Sequence, residues 1–116
     1  MIKDLFDLSG KKALITGGTH GIGLAMAKAL AYAGADIVIN GHTPERLENA
    51  INQCESENLK ATGSLFDITD EKAVLESMNK IAKKIGPLDI LINNAAIHKR
   101  IKLIDYSFRD FQEVVN

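Results

Sequence analysis

Tryptophan is absent from this sequence of 116 residues, and cysteine occurs once, as Cys54. A single cysteine closes no internal disulfide, so a reducing, cytoplasmic setting is the natural reading. No apolar run approaches the roughly 20 residues needed to cross a bilayer. The opening Met1-Ile2-Lys3-Asp4 lacks the basic-then-apolar order of a secretory leader. An excess of one charge is also missing: 14 Lys and Arg against 15 Asp and Glu leave a net charge of −1. That removes the electrostatic case for nucleic acid or an anionic membrane surface as a partner. Linker-like and low-complexity stretches are lacking, and no metal is expected. What remains, at 46% apolar and 25% charged residues, reads as one soluble globular domain over 1–116 with a modest core.

The most informative stretch is Thr16-Gly17-Gly18-Thr19-His20-Gly21-Ile22-Gly23. It lies between an apolar run, Ala13-Leu14-Ile15, and an Ala- and Leu-rich segment with helical spacing from Ala25 to Ala33. Glycines at a strand-to-helix junction let the backbone turn tightly and approach a ligand closely. The turn delivers that ligand to a helix N-terminus, where unpaired N–H groups and the helix dipole favour phosphate. The bland alternative is an ordinary strand-to-helix turn with spare glycines.

The rest of the chain repeats one unit. Lys12 to Thr16 reads as a first strand and about Ile22 to Ala33 as a helix, with Gly34 in place to end it. Asp36 to Asn40 is a second strand. Thr43 then Pro44 suits an N-cap followed by the first helical position, and Leu47, Ala50, Ile51 and Cys54 form an apolar stripe. Cys54 is thus a packed small hydrophobe rather than a reactive thiol. Ala61 to Phe66 is a third strand, weakened by Gly63 and Ser64. Thr69 is the expected cap of a helix whose buried stripe is Val74, Met78, Ile81 and Ile85, stopped by Gly86-Pro87. Leu88 to Asn93 is a fourth strand, a polar basic segment runs from Ala96 to Asp105, and Phe108 to Asn116 has the pattern of a last helix capped by Ser107.

Alternating strands and helices specify an α/β doubly wound parallel sheet of the Rossmann type. Right-handed crossovers give strand order 3-2-1-4 with the switch point between strands 1 and 4, and the sheet is expected to be incomplete at the C-terminal side. Ligands bind outside the carboxyl ends of the strands at such a point. The unusual polar groups all fall at carboxyl ends: Thr16 to Gly23, Asn40 to Thr43, Asp67, and Asn93-Asn94.

Thr16-Gly17-x-x-x-Gly21-x-Gly23, then Asp67-Ile68-Thr69-Asp70, then Asn93-Asn94-Ala95-Ala96, resemble the ordered motifs of the short-chain dehydrogenase/reductase family. The family's third motif is usually NNAG; Ala96 stands at its glycine. The resemblance covers the cofactor-binding half of that fold. Within the family, Leu5-Phe6-Asp7-Leu8 and Ile97-His98-Lys99-Arg100 resemble gluconate 5-dehydrogenases. The resemblance implies an NAD(P)-dependent oxidoreductase, homo-oligomeric in its full-length form. Gly17, Gly18, Thr19, His20, Gly21, Ile22 and Gly23 would cradle the pyrophosphate. Asp67 and Ile68 would lie against adenine, and Asn94, Ala95 and Ala96 would line the nicotinamide-ribose side. Asn93 and Thr16 would tie strands 1 and 4 together. Read without the resemblance, Asp67 is a capping carboxylate and Asn93-Asn94 a pair of turn amides.

The family's Ser and Tyr-x-x-x-Lys are not found in these residues. Asp36 and Asp110 stand four positions after Tyr32 and Tyr106. The 116 residues alone are therefore expected to be inactive and marginally stable, the NAD(P)-binding portion of an oxidoreductase; the alternative is a binding or assembly module without catalysis. No acid stands at the end of the second strand to read a ribose 2′-hydroxyl, and His20 and His42 occupy positions where NADP-preferring relatives carry basic residues. The cofactor is thus NADP or NAD, with a lean to NADP that should grow below about pH 6.5 as imidazoles gain charge. Arg100 is a candidate partner for a substrate carboxylate such as a sugar acid offers.

Overall fold

In a computed structural model, residues 5–95 are described. Four strands and three helices alternate: β1 (Lys12–Thr16), α1 (Gly21–Tyr32), β2 (Asp36–Gly41), α2 (Pro44–Ser56), β3 (Ala61–Leu65), α3 (Glu71–Lys84) and β4 (Ile90–Asn93). The strands are parallel and lie in the order β3-β2-β1-β4, as the connectivity requires. Leu14 sits opposite Val38 on one side and Leu91 on the other, so β1 is the central strand of the crossover.

Side chains alternate across a strand, and this alternation divides the core. Ala13, Ile15, Ile37 and Ile39 point to one face and pack against Leu24 and Ala27 of α1 and Leu47, Ala50 and Cys54 of α2. Leu14 and Val38 point to the other face and meet Ile81 of α3, with Met78, Ile85 and Leu88 around them. β1 and β2 are therefore sealed on both faces, which explains their near-continuous apolar sequence. Cys54 is fully buried within the first cluster, and burial pushes its thiol pKa up.

Helix α1 ends as Gly34 foretells. Gly34 has φ of +107°, its N–H donates to the Ala31 carbonyl, and the Ala35 N–H donates to the Leu30 carbonyl. This is the paired closure that satisfies orphan carbonyls. Asn58, at φ of +59°, closes α2 with the same two bonds, to Glu55 and Cys54. Gly63 interrupts β3 for a packing reason: a Cβ there would lie 3.2 Å from Leu47 Cγ.

Several expectations need correction. The N-cap of α3 is Asp70, which accepts from the Ala73 N–H at 3.1 Å, not Thr69. Thr69 is already engaged with Asp67, so the helix begins later. Thr43 holds the cap position of α2, but its side chain makes no cap bond. β3 ends at Leu65 and β4 begins only at Ile90, because Asp89 is occupied at the entry: its N–H donates to the Lys12 carbonyl and its carboxylate accepts from the Lys12 N–H. Of the stripe expected on α3, Ile81 alone is buried; Val74, Met78 and Ile85 are half-buried. β4 is apolar but not enclosed, with Leu91 53% exposed. Its pairing among the described residues is with β1. The last helix expected from Phe108 and the basic segment from Ala96 lie outside the described residues.

Candidate functional site

The glycine loop joins β1 to α1 at the carboxyl edge of the sheet, and it is held from both flanks. On the β2 side, the Asn40 Oδ1 accepts from the Gly17 N–H at 3.2 Å, and the Asn40 carbonyl accepts from the Gly18 N–H at 3.0 Å. The same amide donates through Nδ2 to the carbonyls of Phe66, at 2.9 Å, and Ser64, at 3.3 Å. Asn40 is 2% exposed, so one buried carboxamide ties the loop to β2 and to the end of β3. On the β4 side, Thr16 Oγ1 donates to the Ile92 carbonyl and accepts from the N–H groups of Asn94 and Ala95, at 3.1 and 3.2 Å. Asn94 Nδ2 donates to the Gly17 carbonyl at 3.0 Å. The tie between β1 and β4 thus runs through Thr16 and Asn94; Asn93, paired with Thr16 in register, is exposed.

The glycines do different jobs. Gly17 has φ of +60°, and a Cβ on it would approach the Ala95 Cα to 2.9 Å, so the loop and the end of β4 touch through backbone. Gly23 is buried in α1, and a Cβ there would strike Asn94 Nδ2 and the Gly17 carbonyl. Gly18 is confined by Ile15 and Ile39. Gly21 is the exception: at φ of +57° a Cβ would meet no protein atom within 4 Å. It faces open space at the start of α1, beside Ile22, which is 74% exposed.

Helix α1 begins without compensation. Its cap residue, His20, makes no side-chain cap bond, and no acid lies in its first turn. By contrast, α3 has the Asp70 cap and Glu71, and α2 has Glu45. First-turn N–H groups with no carboxylate nearby are what an anionic phosphate needs. A dinucleotide pyrophosphate fits this arrangement: Gly21 leaves room, Gly17 and Gly23 keep the loop low, and Ile22 offers apolar contact.

Asp67 follows β3 at the same edge. Its Oδ1 accepts from the Thr69 N–H at 2.9 Å and from the Thr69 hydroxyl at 2.7 Å. The backbone bond first, then the hydroxyl, and in smaller measure the neighbouring His42, hold its carboxyl below the usual carboxylate range. Ile68 is half-buried beside it. His20 Nδ1 is 3.1 Å from Thr19 Oγ1. It lines a shallow depression of about 400 Å³ together with Thr19, Arg46, Asn49 and Gln53. Ala96 and Arg100 lie outside the described residues. Among those described, no helix is long and apolar enough to cross a membrane, and no group of three or more His, Cys, Asp or Glu could hold a metal ion.

Two residues of this edge escape a motif search. Asn40 is the one polar residue closing the apolar run Ile37-Val38-Ile39, a pattern that marks a buried amide with a specific partner. Arg46, Asn49 and Gln53 recur at i, i+3 and i+7, a polar stripe that puts them on one side of α2.

Comparison with known proteins gives this geometry its relatives. The chain is 49% identical to 2-dehydro-3-deoxy-D-gluconate 5-dehydrogenase of Formosa agariphila, covering 100% of this chain and 44% of that protein. It is 46% identical to gluconate 5-dehydrogenase of Gluconobacter oxydans, over 97% of this chain and 44% of the other. Among solved structures, gluconate 5-dehydrogenase from Burkholderia cenocepacia in complex with NADP and tartrate superposes with a TM-score of 0.84 at 35% identity, over 99% of this chain and 45% of that one. The chain thus spans less than half the length of these relatives. A family model described as short chain dehydrogenase matches residues 11–116. That match takes in every strand and helix of the sheet, and the chain belongs to the short-chain dehydrogenase family.

Proposed function

We propose that these residues form the NAD(P)-binding portion of an oxidoreductase that moves a hydride between a nicotinamide cofactor and an alcohol or carbonyl substrate, with a sugar acid such as gluconate as the substrate class. The observation that carries the reading is the glycine loop. It is pinned on one side by Asn40 and on the other by Asn94, yet leaves Gly21 and the uncapped start of α1 open. In this reading Gly17 to Gly23 cradle the pyrophosphate, and Asp67, Ile68 and His42 border the adenine. Asn94, Ala95 and Ala96 line the nicotinamide-ribose side, with Asn94 acting through the loop it holds. The cofactor, when bound, supplies or accepts the hydride. NADP is favoured because β2 ends in Asn40-Gly41 with no carboxylate, in keeping with the NADP complex of the Burkholderia cenocepacia relative.

Arg100 is the proposed partner of the substrate carboxylate. In this reading the proton donor belongs to a longer form of the protein, because Tyr32 and Tyr106 are followed four positions on by Asp36 and Asp110 and not by the family's lysine. A homo-oligomeric enzyme of the cytoplasm fits the single buried cysteine and the family. A second reading, a dinucleotide-binding module without catalysis, keeps the same site. NADPH fluorescence titration of the full-length protein, followed by turnover with 5-ketogluconate, separates the two. Saturable binding with turnover is expected; binding without turnover of keto acids with NADPH or of sugar acids and polyols with NADP+ favours the second reading, and absence of binding rejects both.

A further inference from the structure

Arg46 has no place in the glycine loop or in any family motif quoted above, yet it shares a depression with that loop. The depression is lined by Thr19 and His20 from the loop and by Arg46, Asn49 and Gln53 from α2. Its lining contains one guanidinium, one imidazole, two carboxamides and one hydroxyl, and no carboxylate. Among the described residues Arg46 enters no ion pair; the pair found there joins Lys28 to Glu57. Glu45, next to Arg46 in the first turn of α2, is not among the lining groups.

The opposite charge is shut out by packing. Gly41 is the last residue of β2, where an acid would read a ribose 2′-hydroxyl. A Cβ on Gly41 would stand 2.5 Å from Thr19 Cγ2. Thr19 is β-branched, with few rotamers, and its hydroxyl is held by His20 at 3.1 Å, so it yields only by disturbing the loop. His42 lies beside Asp67 and helps hold that carboxylate charged, whereas His20 lines the depression.

We propose that Arg46 is the specificity-determining residue that makes the site prefer a dinucleotide bearing a 2′-phosphate. The inference rests on the dinucleotide-binding reading above. An arginine stays charged at every working pH and offers a planar fork of donors that matches a phosphate bidentately. Asn49 and Gln53 add amide donors on the same helix stripe. The preference therefore persists where imidazole is neutral.

The test measures dissociation constants for NADPH and NADH in the full-length protein, in Arg46→Gln and in Arg46→Lys. Arg46→Gln should weaken NADPH by roughly 10- to 100-fold, the range for loss of a charge-assisted pair, and leave NADH within about threefold. Arg46→Lys, which keeps the charge and loses the fork, should fall between. The wild-type ratio should hold from about pH 7 to about pH 8.5, across which histidine is neutral. Equal losses for both nucleotides, a wild-type preference for NADH, or a ratio that collapses in that pH range would overturn the assignment to Arg46 while leaving the dinucleotide reading standing. Failure of the wild-type protein to bind either nucleotide removes both.

Discussion

Asn40 carries more of the site than any other single residue. Replacing it with alanine strands the Gly17 N–H and the Phe66 carbonyl, which the amide now bridges. Leaving buried polar groups unpaired costs about 1–3 kcal/mol each, so Asn40→Ala should lower the unfolding free energy by roughly 2–4 kcal/mol in urea titration. Asn40→Asp keeps an acceptor for Gly17 but sets a buried carboxylate against the Phe66 and Ser64 carbonyls, and should cost at least as much as alanine at neutral pH. Asp67 gives a pH-dependent counterpart. Its folded pKa lies below the ordinary value, so its contribution to stability is present above about pH 4 and is lost as the pH falls through the depressed folded value. Carboxyl NMR should find Asp67 titrating low in the wild type and closer to a normal aspartate in Thr69→Val. No change on that substitution would show that the Thr69 hydroxyl is not a cause and would leave the Thr69 N–H, which valine keeps, as the group responsible. The glycine spacing and Asp67 were legible from the sequence because each stands at a strand end next to a helix start. Asn40 and Arg46 were not, because their roles depend on which groups the folded sheet brings to them across 23 or more positions in the first case and across a helix face in the second.

At the scale of elements, the strands and helices follow the apolar periodicity closely, and the departures are at their ends. Thr69 and Asp70 both suit a cap, and only the turn made by Asp67 decides between them. The start of β4 is set by a contact between Asp89 and Lys12, 77 positions apart, which no local pattern records. The closing turn of α1 is the element-scale test. Gly34 at φ of +107° packs against Ser9, where a Cβ would meet Ser9 Oγ at 2.8 Å. Gly34→Ala combines left-handed strain with overpacking and should cost about 1–3 kcal/mol, read as a lower urea midpoint at unchanged slope. Gly10, also at positive φ but with nothing within 4 Å, should pay only the backbone part.

At the scale of the molecule, burial is lopsided. β1 and β2 are sealed, while Leu65, Leu75 and Leu91 are each more than half exposed among the described residues. The chain spans less than half the length of the relatives it matches. The 116 residues by themselves should associate or melt without a sharp transition, and should oxidise no NADPH with a carbonyl substrate. A cooperative monomer in sedimentation and thermal melting would contradict the first expectation, and measurable turnover the second.

Gly21 is the position that tests most directly whether the glycine loop is a dinucleotide cradle. Its Cβ would touch no protein atom, so a side chain there meets the ligand first, in addition to the backbone strain that φ of +57° imposes on any side chain. The decisive measurement is the NADPH dissociation constant of Gly21→Val against wild type in the full-length protein, with circular dichroism to verify the fold. A loss of about tenfold or more in affinity with an intact spectrum is expected, since displaced charge-assisted bonds are worth that much. An unchanged dissociation constant with an intact fold would contradict it.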